Sequence, residues 1–577
     1  MPPGWLSGPG CRSSCWCCRL TCWATGCATR STRASDSFIG ANVQFDWNNP
    51  YPTIRSPVMA RNVVSTSQPL AAQAGLRMLQ KGGNAVDAAV AAAAAMTIVE
   101  PVSNGLGSDN FAILWDGAQL HGLNASGVAP AAWNPDYFKR RHAGVMPVRG
   151  WDTVTTPGAV AGWVALSQRF GKLPFADLLE PAIELAERGH SVARIVSHKW
   201  NLAVPLLKDL PGYAQAFMPR GRAPSPGERF VFSEAGATLR RIALSKGEDF
   251  YRGETAHRLA AHAAAHGGSM TAADMAAYQP QWVTPIHKDY AGYTLHEIPP
   301  NGQGIAALMA LGMLDTMDLA SLPIDSVQSQ HLQIEAMKLA FADTYRWVAD
   351  APAMTQVSAA DLLSDAYLRE RARLIDPTRA SDFRHGSPPQ GGTIYLSAAD
   401  ESGMMISLIQ SNYMGFGSGI VVPGTGVSLQ NRGHGFSLEP GHPNLVEGGK
   451  RPFHTIIPGF LTENGKPRMS FGVMGGNMQP QGHLQSLVRM LTHRQQPQAA
   501  CDAPRWKVGT GLSVDCEPTM NPALVQGLRD LGHQVEAHPD SYMDYGAGQF
   551  IWKLSDDIED GYVAASDSRR DGHAAVY

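Results

Sequence analysis

The chain has 577 residues, with 47 Lys+Arg against 50 Asp+Glu, 44% hydrophobic residues and a mean hydropathy of −0.17. Charge so close to balance gives no electrostatic reason to expect nucleic acid or an anionic membrane surface as partner. No apolar run reaches the roughly 18 residues needed to cross a bilayer. The longest candidate, Ala88–Val99, is too short and reads as a buried helix.

The length allows three or four domains, or one body of intertwined layers. Fifty-nine Gly and 40 Pro imply many turns. Six of the eight Cys lie in the first 27 residues, and only Cys501 and Cys516 lie in the body. A secreted disulfide scaffold would spread its cysteines, so a reducing, cytoplasmic setting is expected. Residues 1–42 have a texture of their own: Cys, Trp, Ser and Arg, with no acid before Asp36. Arg12 and Arg19 interrupt every apolar stretch, against a signal peptide. Cys15–Trp16–Cys17–Cys18 lacks a second pair at finger spacing. The expectation is a non-native or disordered extension, with protein-like sequence starting at Val43.

Val63–Thr66 reads as a short strand. Pro69–Gln80 has helical spacing and stops at Gly82–Gly83. Asn84, with Asp87 three residues on, opens a second helix in the manner of a capping box. Ala85–Met96 is apolar all round, which marks a buried helix. Ala112–Trp115 and Gln119–Leu123 form a hairpin about Asp116–Gly117. Ala176–Arg188 and Gln303–Leu314 are predicted as amphipathic helices, and Ser326–Val348 as a longer one carrying Gln333, Glu335 and Lys338. Asp376–Gln390 is polar and Pro-rich, an exposed linker. Strands follow: Thr393–Ala399 and Met404–Gln410 joined by Asp400–Glu401–Ser402–Gly403, then Ile456–Thr462 and Arg468–Gly472 turning at Asn464–Gly465. Helical spacing returns at Pro480–Leu491. Helices, strands and helices in that order suggest sheets covered by helical layers.

The linker delivers Gly391–Gly392–Thr393 to the start of a strand. Gly tolerates strained dihedrals beside a reacting carbonyl, and the β-branched Thr holds its hydroxyl in few rotamers. Attack of the Thr393 hydroxyl on the Gly392 carbonyl would give an ester, and its hydrolysis a new N-terminus. The freed α-amine, with a reference pKa of about 7.7–8.0, would be partly neutral and able to take the proton of its own hydroxyl. Gly475–Gly476, ahead of a helix, suit an oxyanion hole of backbone N–H groups. Taken singly, each of these pieces is an ordinary turn.

Their company is more specific. Ser67–Gln68–Pro69–Leu70, Gly82–Gly83–Asn84–Ala85–Val86–Asp87–Ala88–Ala89 and Thr156–Pro157–Gly158–Ala159–Val160–Ala161–Gly162 come first. Then follow Pro299–Pro300–Asn301–Gly302–Gln303–Gly304, Glu335–Ala336–Lys338–Ala340–Asp343, and the run from Thr393 to Asp400. Phe416–Gly417–Ser418–Gly419, Lys450–Arg451–Pro452 and Gly475–Gly476 complete the set. In this order, from about Phe45 to the C-terminus, they resemble the gamma-glutamyltranspeptidase family of N-terminal-nucleophile hydrolases. The resemblance implies an α+β fold, a four-layer αββα sandwich. It implies a large subunit, 43–392, and a small one, 393–577, forming one intertwined catalytic domain as a heterodimer, with further dimerisation left open. It implies Thr393 as nucleophile after cleavage of Gly392–Thr393, Ser411 as the hydroxyl that bonds the nucleophile's amine, and Gly475 and Gly476 as the oxyanion hole. The expected partner is a small-molecule amide, with no nucleic acid, membrane, metal or cofactor.

The sequence departs from the family where gamma-glutamyl enzymes read the amino-acid head. Ser126 stands where they place an Arg for the α-carboxylate, and Ser does not reproduce a bidentate guanidinium. Gly435 stands where they place an Asp for the α-amine, in Leu429–Gln430–Asn431–Arg432–Gly433–His434–Gly435. His454–Thr455 replace a Ser pair. Ser126, Asn431, Arg432, His454 and Thr455 are therefore the candidate substrate contacts, with Arg432, His434 and His454 favouring an acyl group that bears a carboxylate but no α-amine. Three readings stay open: an enzyme of gamma-glutamyl compounds such as glutathione, an oxamate-amidohydrolase or glutaryl-acylase type, and an uncleaved member without activity.

Overall fold

The computed structural model describes residues 45–51, 55–383, 392–538 and 545–577. The expected extension over 1–42 and the linker from 384 to 390 lie outside these residues.

Two seven-stranded antiparallel sheets make the centre. One runs Val58–Ala60, Tyr562–Ser566, Ala547–Lys553, Lys466–Met474, Gly459–Glu463, Tyr293–Glu297, Ile286–Tyr290 from edge to edge. The other runs His573–Val576, Val63–Thr66, Gly392–Ala399, Met405–Tyr413, Asp109–Trp115, Leu120–Ala125, Gln281–Val283. Both sheets mix strands from before and after Thr393.

Three apolar layers define the stacking. Val63, Phe111, Ile113, Tyr395, Ile409, Phe460 and Ile551 fill the space between the sheets. Helices Pro69–Gln80, Ala85–Val99 and Phe175–Arg188 share a core with the outer face of the second sheet. Helices Gly304–Leu314, Val327–Trp347 and Met478–Leu487 share one with the first. This is the αββα sandwich that the resemblance implied.

The strand Gly392–Ala399 shows why both its faces must be buried. Ile394, Leu396 and Ala398 point to the helical core, while Tyr395 and Ala399 point between the sheets, the alternation of a pleated strand. The same inner face carries Ser397, whose hydroxyl meets Ser470 of the other sheet at 2.5 Å. Tyr395 bonds Ser407 at 2.7 Å, and Ser407 donates to the Phe471 carbonyl at 3.1 Å. These hydroxyls satisfy buried polar atoms and fix one sheet against the other. Thr393 falls on this inner face.

The helix Ala85–Val99 has all 15 residues buried and opens on the expected capping box of Asn84 and Asp87. Asp400, in the turn after the Thr393 strand, accepts the Ala85 N–H at 2.7 Å and so ties the hairpin to that helix.

Three expectations need correction. Gly304–Leu314 is buried on every side rather than amphipathic, because it lies between the first sheet and its neighbouring helices. The strand expected from Ile456 begins only at Gly459; the Ile457 N–H is taken by the side chain of Gln479 at 2.9 Å instead of a ladder partner. The helix expected over Pro480–Leu491 runs Met478–Leu487 and then widens into a looser turn, Val488–Thr492.

Replacing Asn84 by Ala removes the cap on Val86 and Asp87 and a 2.7 Å bond to the Phe170 carbonyl. The expected loss is about 1–2 kcal/mol, read as a lower urea midpoint with an unchanged slope.

Candidate active site

Thr393 is buried, and its hydroxyl lies 3.1 Å from that of Ser411. Strand pairing explains the meeting. Gly392 pairs with Tyr413 and Ile394 with Gln410, so both Ser411 and Asn412 stand opposite Thr393. This bulge puts one extra residue on the second strand and re-aims Ser411 at Thr393. The Ser411 hydroxyl accepts the Tyr413 N–H at 2.8 Å, which orients it.

Gly475 and Gly476 follow the end of strand Lys466–Met474 with φ of +126° and +61°. Those values suit Gly and turn the chain into helix Met478–Leu487. One turn on, Gln479 donates to the Thr393 hydroxyl at 3.4 Å. Gln303 donates to the Gly476 carbonyl at 3.0 Å and to the Thr455 carbonyl at 2.6 Å. The two amides hold the glycine turn against Thr393.

Arg432 is 0% exposed. Its Nη1 donates to the Thr455 hydroxyl at 2.7 Å, and its guanidinium carbon lies 4.3 Å from the centre of the Tyr413 ring. Its Nε and Nη2 have no hydrogen-bond partner among the described residues. Burial pulls its pKa down to about 10. Tyr413 holds its ring there with φ at +77°, a rare value for a non-Gly residue and one that clusters at functional sites.

Asp109 is the acid that acts on Arg432. It pairs in register with Ser411 on the neighbouring strand. Its Oδ2 lies 3.1 Å from His454 Nε2, and its Oδ1 accepts the Gly127 N–H at 3.1 Å. Burial raises its pKa to about 7, against the opposing pull of Arg432 and the backbone N–H groups. His454 is held well below the usual imidazole value, first by burial and then by Arg432. His454 is therefore a neutral ring that donates from Nε2 to Asp109 and accepts the Ile456 N–H on Nδ1 at 3.4 Å.

The other candidates are internally engaged. The Ser126 hydroxyl donates to Asn124 at 2.7 Å and accepts from Asn301 at 3.2 Å. Asn431 accepts the Met414 N–H at 3.1 Å and donates to the Val148 carbonyl at 2.9 Å. A Cβ added at Gly435 would lie 2.8 Å from the Phe453 carbonyl oxygen, so this backbone leaves no room for an acid there. Gly435, His434 and Tyr413 line a cavity of about 180 Å³. His434 is also shifted down by burial. The positive charge of this region thus belongs to Arg432, with His434 and His454 both shifted toward the neutral form.

Comparison with known proteins follows the same lines. The family model described as gamma-glutamyltranspeptidase matches residues 71–577. The glutathione hydrolase-like YwrD proenzyme of Bacillus subtilis is 35% identical over 90% of this chain and 99% of its own. The oxamate amidohydrolase proenzyme of Klebsiella pneumoniae is 36% identical over 88% and 97%. The crystal structure of cephalosporin acylase from Bacillus halodurans superposes with a TM-score of 0.87 at 46% identity, covering 93% of this chain and 99% of that one. The chain belongs to the gamma-glutamyltranspeptidase family. It is an N-terminal-nucleophile amidohydrolase, as the resemblance implied.

Within that family frame, the sequence reading missed Asp109, Gln479 and any role for Gln303. Asp109 carried one legible signal, an acid just ahead of the apolar run Phe111–Trp115. A metal-ligand grouping also exists among the described residues, His331, Glu335 and His533, all buried. Its carboxylate is already neutralised by the Lys338 ammonium at 2.5 Å, which supplies the positive charge an ion would bring. No helix among the described residues is long and apolar enough to cross a membrane.

A buried, unpaired guanidinium costs stability, and apolar replacement of buried ions is often favourable. Arg432→Met at pH 6, where Asp109 is largely neutral, is expected to raise unfolding stability by about 1–3 kcal/mol, measured by urea denaturation.

Proposed function

We propose that this chain is a proenzyme that cuts its own Gly392–Thr393 bond and then hydrolyses small amides whose acyl group ends in a carboxylate and lacks an α-amine. The Thr393 hydroxyl attacks the Gly392 carbonyl, the peptide nitrogen leaves as the new α-amine, and water hydrolyses the ester. The large chain to Gly392 and the small chain from Thr393 stay together through sheets built from both. In the mature site the α-amine takes the hydroxyl proton as Thr393 attacks the substrate carbonyl. Ser411 orients that amine, and the Gly475 and Gly476 N–H groups receive the oxyanion. The amine product leaves with the proton, and water resolves the acyl-enzyme by the same route.

The observation that supports the substrate class is Arg432, buried with Nε and Nη2 unpartnered. A desolvated guanidinium in this state is a receptor for a carboxylate. The filled surroundings of Ser126 and Gly435 argue against the amino-acid head of a gamma-glutamyl group. Relatives named oxamate amidohydrolase and acylase agree with this class. Relatives named glutathione hydrolase, at 30% identity, keep the alternative in view. We further read the protein as cytoplasmic, since Cys501 and Cys516 are buried free thiols.

Glutaryl and gamma-glutamyl anilides, with glutathione and oxamate beside them, separate the readings. The glutaryl anilide is expected to exceed the gamma-glutamyl anilide in kcat/KM at least tenfold; the reverse order sinks the carboxylate-without-amine reading. Arg432→Gln is expected to lower kcat/KM for the glutaryl anilide by roughly 10²-fold. Ser411→Ala is expected to lower kcat by roughly 10–10² while leaving KM nearly unchanged.

A further inference from the structure

Arg432 has one acid acting on it, and that acid is not bonded to it. Asp109 accepts the Gly127 N–H on Oδ1 and the His454 Nε2–H on Oδ2, so its negative form acts on the guanidinium without closing an ion pair. The groups that face Asp109 are few. His454 comes from the segment after Arg451–Pro452 and is neutral. Arg451 acts more weakly than Arg432 and donates to the Gln279 carbonyl at 3.4 Å. Tyr251 and Tyr278 close the other side. The Tyr251 hydroxyl donates to the Pro157 carbonyl and accepts the Ala161 N–H, and that of Tyr278 donates to the Ser126 carbonyl. Burial raises both phenols, so neither ionises near neutral pH.

This wall cannot be freely rearranged. A Cβ at Gly127 would sit 1.9 Å from the Thr156 carbonyl oxygen, and one at Gly158 1.9 Å from that of Ala125. The loops around Asp109 are packed backbone to backbone. The acid is fully buried, so its charge must be balanced within the site.

We propose that Asp109 is the internal counter-ion of the acyl pocket: its ionised form and the substrate carboxylate compete for Arg432, so binding of the anionic acyl group is coupled to uptake of one proton by Asp109. This rests on the reading of Arg432 as the carboxylate receptor. With Asp109 neutral, Arg432 carries the unbalanced positive charge and the substrate anion pairs with it. With Asp109 ionised, the empty pocket is already balanced and a second anion is buried in excess, which is unfavourable. The proton comes from solvent and goes to a carboxylate oxygen of Asp109; no bond of the substrate changes.

The sign follows from the raised acid. Asp109 is neutral below about 7 and ionised above it. Anion binding is strong on the acid side and weakens as pH rises through that value, by up to tenfold in KM per pH unit for a one-proton linkage. The α-amine of Thr393, by contrast, must lose its proton to act as base, so its influence runs in the opposite direction and falls on kcat.

The test compares the mature wild-type enzyme on glutaryl anilide and on the isosteric carboxamide anilide between pH 5.5 and 9. The ratio of the two KM values cancels effects of the nucleophile's amine. The proposal expects this ratio to rise about tenfold per unit above pH 7 and Asp109→Asn to flatten it. A ratio that favours the carboxylate equally at every pH overturns the role of Asp109 and leaves the Arg432 reading standing. No preference for the carboxylate at any pH overturns the Arg432 reading and this proposal with it. If the Asn variant fails to fold or to mature, the wild-type ratio decides alone.

Discussion

A closed circuit of contacts holds this site. The Thr393 hydroxyl meets Ser411, Ser411 accepts from the Tyr413 N–H, and the Tyr413 ring lies against Arg432. Arg432 bonds Thr455, Gln303 bonds the Thr455 and Gly476 carbonyls, and the Gly476 carbonyl accepts the Gln479 N–H. Gln479 returns to Thr393. Thr393, the glycine turn and the Arg432 guanidinium are therefore fixed relative to one another through a circuit of eight residues from several parts of the chain. Preorganisation of this kind is what a site must have before chemistry begins.

The circuit is possible because the first residues of one interior strand are treated unlike the rest. Beyond Ile394 the strand is in regular register with its neighbour. At Thr393 the bulge breaks the ladder, so this residue is in the centre of the sandwich yet not locked by its pairing. The adjoining helix and the inter-sheet hydroxyls keep the strand in place whether or not the bond before Thr393 is intact. Arg432 shows the complementary cost. A buried cation without a bonded anion opposes stability, and its persistence beside a neutral His454 and a raised Asp109 makes sense as preparation for an anionic ligand.

Much of the frame was legible from local pattern. The hairpin of the Thr393 strand follows from alternation and from Asp400–Glu401–Ser402–Gly403. The helix after Asn84 follows from its cap and its unbroken apolar run. The glycine pair before Met478 was legible as a turn, and Arg432 as an intrusive charge. What was not legible is whatever depends on contacts between remote segments. Asp109 and His454 are separated by 345 positions, and no spacing rule brings them together. Gln479 lies one residue before the helix that the spacing marks, yet its side chain serves Thr393 and takes the N–H of Ile457. The burial of Gly304–Leu314 on all sides likewise depends on which elements surround it. Charge states were partly legible: Arg432 stood out as the cation, while the downward shift of His434 and His454 comes from a burial that sequence does not show.

The account stands on Thr393 as a self-generated N-terminal nucleophile. Intact-mass spectrometry of the purified protein, before and after brief exposure to glutaryl anilide, tests this most directly. The account requires a small chain that starts at Thr393 and transiently gains the mass of one glutaryl group, with peptide mapping placing it on Thr393. A single uncut chain, or an acyl group carried on any other residue, would contradict it.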